Sequence, residues 1–403
     1  MKILNKIIVI IFLLIIYIYI CYFSYLPENY IAIQGEDFKI PKLLGVNISN
    51  DYCSIEASNN IGQNKLDNIG VNQLSVKLFD KIKIKKCNID VIPRTKVIPV
   101  GKAIGMKLYT DGVLVVGMSE IEGKKPYINS GIQEGDRIIE IDKSKIRNTD
   151  DLVDKVNASN GKEIEVKYIR DDKECFSYIK PAQNSKKEYR LGLWVRDAAA
   201  GVGTLTFYEP STNSFATLGH GILDIDTSNL IKISRGELVT TNILDIKKGE
   251  KGKPGEIRGT IENGENIGKI LKNTYFGVFG ELTNKNGIIS KYLNGIEVCY
   301  RNEIKKGEAK IICELQNGRQ EEYGIKIEKI FLNNNTNNKS MLIKIEDERL
   351  LDKTGGIIQG MSGAPIIQND KFVGAVTNVL VNDPSMGYGV FADVMLKEMK
   401  NIE

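Results

Sequence analysis

The sequence predicts a mainly β protein of several domains behind a single N-terminal apolar helix. Three observations carry that prediction. Ile7 to Phe23 is an uninterrupted apolar and aromatic run. Most of the remaining chain consists of short β-branched segments punctuated by Gly, Asn and Asp. Finally, 403 residues with 42% hydrophobic content can fill two or three cores.

The apolar run is preceded by Lys2 and Lys6, and its length is near the lower limit for a spanning helix. It closes in Tyr19, Cys21, Tyr22, Phe23, Ser24 and Tyr25, not in the small residues of a cleavage site. An uncleaved membrane anchor over residues 1–25 is therefore expected, with the N-terminus cytoplasmic and the rest of the chain on the far side. Residues 26–95, with segments such as Tyr30–Ile33 and Leu74–Phe79, read as a β-rich stalk without visible chemistry.

Charge excludes one class of partner. Lys+Arg 55 against Asp+Glu 51 leaves a net +4, and the two signs are interspersed, so nucleic acid is not expected. The six cysteines (Cys21, Cys53, Cys87, Cys175, Cys299, Cys313) form no C-x-x-C pair, and one histidine cannot complete a usual zinc set. No metal or other cofactor is expected; disulfides between some of the cysteines outside the cytoplasm are one reading, with no pairing fixed, and scattered buried thiols are the preferred one.

Residues 96–184 carry Val113–Met118, then Ser130-Gly131-Ile132-Gln133-Glu134-Gly135-Asp136-Arg137-Ile138-Ile139-Glu140-Ile141-Asp142. A helical signal at Asn148–Val156 and a closing strand at Ile164–Arg170 follow. The pattern resembles a PDZ domain of the kind fused to bacterial proteases. That resemblance implies a groove, lined or supported by Gly131, Ile132, Gly135 and Asp136, which takes a peptide as an added strand.

From 185 to 403 the texture is again short strands, which suggests packed barrels or a sandwich, with a helix from Ala392 to Met399 and a surface loop at Asn333–Asn338. Gly360-Met361-Ser362-Gly363-Ala364-Pro365 places a serine on a tight turn between apolar strands. Glycines on both sides let main-chain N–H groups, those of Gly360 and Ser362, converge as an oxyanion hole. The motif looks like the nucleophile loop of chymotrypsin-like peptidases. A serine hydroxyl needs a base, and the only imidazole is His220, in Thr217-Leu218-Gly219-His220-Gly221. A third, orienting carboxylate is expected: order along the chain suggests Asp347, with Asp224, Asp226 and Asp352 also available.

Several stretches together match one family: Leu191–Asp197, Gly203–Pro210, Thr217–Gly221, Lys353–Ile367, Gly374–Thr377 and Asn382-Asp383-Pro384. They resemble stage IV sporulation protein B, the signalling peptidases of endospore formers. The resemblance implies an N-terminal anchor, a PDZ domain and a C-terminal chymotrypsin-like double β-barrel over 185–403. It implies Ser362 as nucleophile, His220 as base and Asp347 as the aspartate, although Glu348 stands where the family usually has proline. It also implies self-cleavage, and cleavage of a membrane-bound inhibitor of an intramembrane metalloprotease that processes the sigma-K precursor, in the space beyond the forespore membrane. A stress protease that collects unfolded chains and a catalytically dead PDZ scaffold are the competing readings. The PDZ pattern lies ahead of the peptidase motifs, which argues against the first; intact Ser362 and His220 argue against the second.

Overall fold

A computed structural model describes residues 2–26, 29–34, 43, 46–50, 70–79, 81–261, 264–285, 287–332 and 338–400. Cys53 and positions 333–337 of the Asn-rich stretch lie outside them. The chain divides into two compact units. One comprises Met1–Lys96 with Tyr300–Glu303 and Phe331–Asn335; the other holds the remainder.

In the first unit, helix α1 (Lys2–Tyr25) contains a 19-residue stretch, Lys6–Ser24, with a mean hydropathy of 2.8, long and apolar enough to cross a membrane. Four strands follow: β1 (Asn29–Ile33), β2 (Val46–Asn50), β3 (Gly70–Leu78) and β4 (Ile82–Ile92). They order as β1-β4-β3-β2, with β1 parallel to β4 and the other pairs antiparallel. Their core is Leu26, Tyr30, Ala32, Val46, Val76, Cys87, Ile89 and Val91, against which Tyr19, Tyr22 and Phe23 of α1 pack.

The second unit begins one residue into β5 (Lys96–Met118), and the length of this strand is the key to the architecture. Next come β6 (Arg137–Ile141), β7 (Ser144–Lys145), helix α2 (Thr149–Ala158), β8 (Ile164–Arg170), β9 (Lys173–Ile179), β10 (Ala182–Gln183) and β11 (Tyr189–Arg190). Asn148 caps α2 by accepting from Asp151 N, acidic Asp150 and Asp151 suit the first turn, and Leu152 and Val156, four apart, bury one face. Val113, Val115, Ile138, Ile141, Ile164 and Val166 pack with that face as one core.

Two barrels then follow. The first uses β12 (Leu193–Tyr208), β13 (Ser214–Thr217), β14 (Ile233–Thr240), β17 (Asn266–Thr274) and β18 (Gly277–Leu282), with a side hairpin of β15 (Asn242–Lys247) and β16 (Glu256–Thr260). Pairing of β12 with β5 closes the ring β12-β13-β18-β17-β14-β5 around Ile104, Met106, Leu108, Leu205, Phe215 and Leu238. After β19 (Ile296–Glu297), the strands β20 (Gly307–Gln316), β21 (Arg319–Ile330), β22 (Met341–Ile345), β23 (Pro365–Gln368), β24 (Lys371–Leu380) and β25 (Asp383–Phe391) form a second closed barrel. Helix α3 (Glu348–Thr354) precedes β23, and α4 (Ala392–Lys400) follows β25.

The expected division at residue 184 is cut across by strand pairing. Ile98–Tyr109 of β5 pairs with Ala198–Tyr208 of β12, so the first barrel takes a strand from ahead of the PDZ region. In return Leu193–Arg196 of β12 pairs with Leu114–Met118 and completes the PDZ sheet. One strand from each domain serves both cores.

Candidate active site

The turn at 360–364 is built by glycine. Gly360 (φ 97°) and Gly363 (φ 95°) adopt conformations that L side chains rarely take. A Cβ on Gly363 would also collide with Thr204 O and Leu218 N of the first barrel. Thr204, from β12, fixes the turn from that side: its Oγ1 donates to Gly360 O (2.7 Å) and its N–H to Ser362 O (3.1 Å). With both carbonyls held, the N–H groups are directed elsewhere. Met361 N donates to Ile358 O and Gly363 N to Val376 O, but the N–H groups of Gly360 and Ser362 meet no acceptor among the described residues.

His220 leaves β13 through two successive left-handed residues, Leu218 (φ 69°) and Gly219 (φ 67°). Here too glycine is required, since a Cβ on Gly219 would press on Val390 and Thr377 of the second barrel at about 3 Å. The His220 Nδ1 lies 2.9 Å from Gly221 O. A carbonyl only accepts, so this contact assigns the proton to Nδ1 and leaves Nε2 with its lone pair. Burial lowers the pKa of the ring below its ordinary value, more than the Gly221 contact raises it.

The loop after His220 is tied down at both ends. Asn273 of β17 accepts from Ile222 N and donates to Ile222 O and Ile231 O, stapling its base. Asp224, 2% exposed, accepts from Asp226 N, Thr227 N and Thr227 Oγ1, and Arg196 of β12 donates to its other oxygen. Burial pushes the Asp224 carboxyl up, but these donors outweigh it and hold the pKa below the usual carboxylate range.

Ser362, His220 and Gly360 line one cavity of about 600 Å³. Its walls are mainly apolar, including Ile222, Ile358, Val379 and Val381. The Ser362 hydroxyl donates to Thr377 O (2.7 Å), and no hydrogen bond joins it to His220 among the described residues.

A family model described as SpoIVB peptidase S55 matches residues 187–396, which is 210 of 403 positions and includes both motifs. The chain belongs to the SpoIVB peptidase S55 family. It is therefore a serine endopeptidase, and a PDZ-domain model matches residues 103–176 ahead of the peptidase region. Among solved structures it is similar to the PDZ domain of an SdrC-like protein from Listeria monocytogenes (23% identity, TM-score 0.19, 21% of this chain and 87% of that one). It is also similar to the active form of the Rv3671c protease from M. tuberculosis (12%, TM-score 0.30, 51% and 74%). A third is the HtrA-type protease AlgW (11%, TM-score 0.32, 50% and 56%). No curated protein matches the chain.

In this S55 peptidase the carboxylate expected to complete a triad is not at the cavity. Asp347 caps α3: its carboxylate accepts from the N–H and guanidinium of Arg349 and from Gly324 N. It lines a separate, polar cavity of about 460 Å³ with Glu308, Lys310, Glu346 and Asp370. The expectation that Asp347 orients His220 is thus corrected by geometry, because its oxygens are spent on a helix cap. Asp352 is exposed on α3, and Asp226 pairs with Arg196 at 2.8 Å. The position behind the ring is held by Gly221 O.

The residues expected to line or support a peptide groove, Gly131, Ile132, Gly135 and Asp136, brace the PDZ fold. Asp136, fully buried, accepts from Arg170 Nε and Nη2 and from Gln133 N; Arg170 also donates to Gly131 O. Gly135 N donates to Val115 O, and Ile132 lies in the core. The β5 edge beyond residue 113 is occupied by Leu193–Arg196 of the same chain. Sequence reasoning missed Thr204, Thr377, Arg196 and Asn273. Only Asp224-Ile225-Asp226-Thr227 carried a readable sign, since Asp followed by Thr three residues on favours a side-chain-closed turn.

Proposed function

We propose that this serine endopeptidase is a membrane-anchored regulatory enzyme whose nucleophile is Ser362 and whose general base is His220. The observation that carries the assignment is the pair of N–H groups, Gly360 and Ser362, that meet no acceptor among the described residues and belong to residues lining the cavity that also holds the imidazole. In the reaction, Ser362 Oγ attacks the scissile carbonyl carbon as its proton passes to His220 Nε2. The carbonyl oxygen becomes an oxyanion facing the two N–H groups, and His220 returns the proton to the leaving amine, giving an acyl-enzyme that water hydrolyses. Gly221 O holds the Nδ1 proton throughout. Before attack, the hydroxyl must turn from Thr377 O toward His220, and Thr377 O then becomes free to accept a substrate main-chain N–H.

The apolar stretch Lys6–Ser24 supports an anchor, with the catalytic domain across the membrane from a cytoplasmic N-terminus. By family resemblance, the substrates are this chain itself and a membrane-bound inhibitor of an intramembrane metalloprotease, whose removal releases sigma-K precursor processing. The test is fluorophosphonate labelling of one sample of purified full-length protein and incubation of a separate, unlabelled sample with that inhibitor in membranes. Wild type is labelled and cuts both itself and the inhibitor, whereas Ser362→Ala does neither. Labelling of Ser362→Ala equal to wild type sinks the assignment.

A further inference from the structure

We propose that the turn between β3 and β4 is a second membrane contact, dipping into an anionic bilayer beside the α1 anchor. The inference rests on reading α1 as membrane-embedded. At this turn Phe79, Ile82 and Ile84 are 64%, 56% and 43% exposed, although the sheet has a core available to apolar side chains. Lys81, Lys83 and Lys86 are exposed around them, with Lys77 half-buried opposite Lys83. Residues 77–86 hold five lysines against the single acidic residue Asp80. Exposed apolar side chains among lysines are the composition that settles at an anionic interface.

Strand pairing keeps the turn near the end of α1. β1 leaves the end of α1 parallel to β4, with Asn29 opposite Asn88, and Lys85 Nζ donates to Leu26 O at 2.6 Å. The point where the chain leaves α1 is therefore level with Lys85. From Lys85 back to Ile82 is three residues, so the tip lies within about 10 Å of strand from the level at which the chain leaves α1. Tyr19, Tyr22 and Phe23 of α1 and Leu78 of β3 pack on the same core. The apolar stretch extends to Ser24, and Tyr19 lies five residues inside that limit, about 7.5 Å along the axis. A tip turned toward the bilayer reaches, within its own span of strand, the depth at which interfacial segments bury their apolar face, roughly 5–10 Å. The lysine stems are long enough to return their ammonium groups to the headgroups.

The full-length chain, which has one tryptophan, Trp194, permits a direct test. Trp194→Phe with Phe79→Trp is placed in phosphatidylcholine vesicles with or without phosphatidylglycerol, and quenching by lipids brominated near the headgroup is read. Carbonate extraction reports separately on α1. Insertion gives quenching at least about twofold stronger in anionic vesicles than in zwitterionic ones, lost when Lys77, Lys81, Lys83 and Lys86 are changed to Gln. Unquenched, water-like emission from a carbonate-resistant chain overturns the proposal and leaves the anchor standing. Quenching that is equal in both vesicle types overturns the anionic preference. Release of the chain by carbonate overturns the anchor reading and the proposal with it.

Discussion

The Arg196 guanidinium spans Asp224 and Asp226, donating to Asp224 at 2.6 Å and lying 2.8 Å from Asp226, and so grips the loop that begins at His220. The next residue, Asp197, accepts from Thr149 N at the start of α2. Two consecutive residues of β12 thus hold the His220 loop and the PDZ helix. Arg196→Ala strands a buried carboxylate; because Arg196 is about one-third exposed, the stability loss is set near 2 kcal/mol, below that of a fully buried pair. The prediction is a kcat lowered about ten- to hundredfold with KM little changed, since the base is misplaced rather than the substrate site. Arg196→Lys recovers only part, because an ammonium cannot fork across two carboxylates. Steady-state kinetics beside a melting curve decide the matter; a loss of stability with unchanged kcat would make Arg196 a structural brace only.

Burial lowers the His220 pKa, and the base works only when neutral. The acid limb of the kcat/KM profile is therefore predicted below the ordinary imidazole value of about 6.5. A profile falling already above that value would mean that a different group limits the rate.

Asp347→Ala removes the α3 cap and is predicted to cost about 1 kcal/mol in stability while leaving the fluorophosphonate labelling rate of Ser362 within about threefold. Abolished labelling at an unchanged melting temperature would return Asp347 to the catalytic machinery, through an arrangement of α3 other than the one described.

Excision of the PDZ region tests the shared strands. Removing 101–182 takes most of β5 from the first barrel and is predicted to leave no cooperatively folded peptidase, whereas replacing 113–191 by a Gly/Ser linker keeps the barrel pairing and retains Ser362 labelling. Equal folding of the two deletions, read by circular dichroism melts, would show that the β5 pairing is dispensable.

Much of this molecule was legible in its sequence because the signals were local. Ile164–Arg170 is β8, the helix signal at Asn148 is a true cap, and glycines mark the turns that carry Ser362 and His220. What could not be read was long-range pairing. Lys96–Met118 has strand-like composition throughout, and nothing in it says that one half pairs with residues 198–208 and the other with 193–196. Asp347 failed for a related reason: fifteen residues before the serine is a chain distance, and Arg349 beside it already offered a local partner.

The exchange of strands between β5 and β12 also dictates a timetable. β5 appears early but cannot complete a barrel until β18 has been made, and the PDZ sheet remains open on one edge until residue 196 appears. The second barrel waits for Phe391, so the nucleophile turn has no complete wall behind it until the last strand arrives. With so many partners far apart in the chain, assembly is slow relative to local folding. The peptidase is thereby inert while it emerges, and competent only once nearly all of it is present.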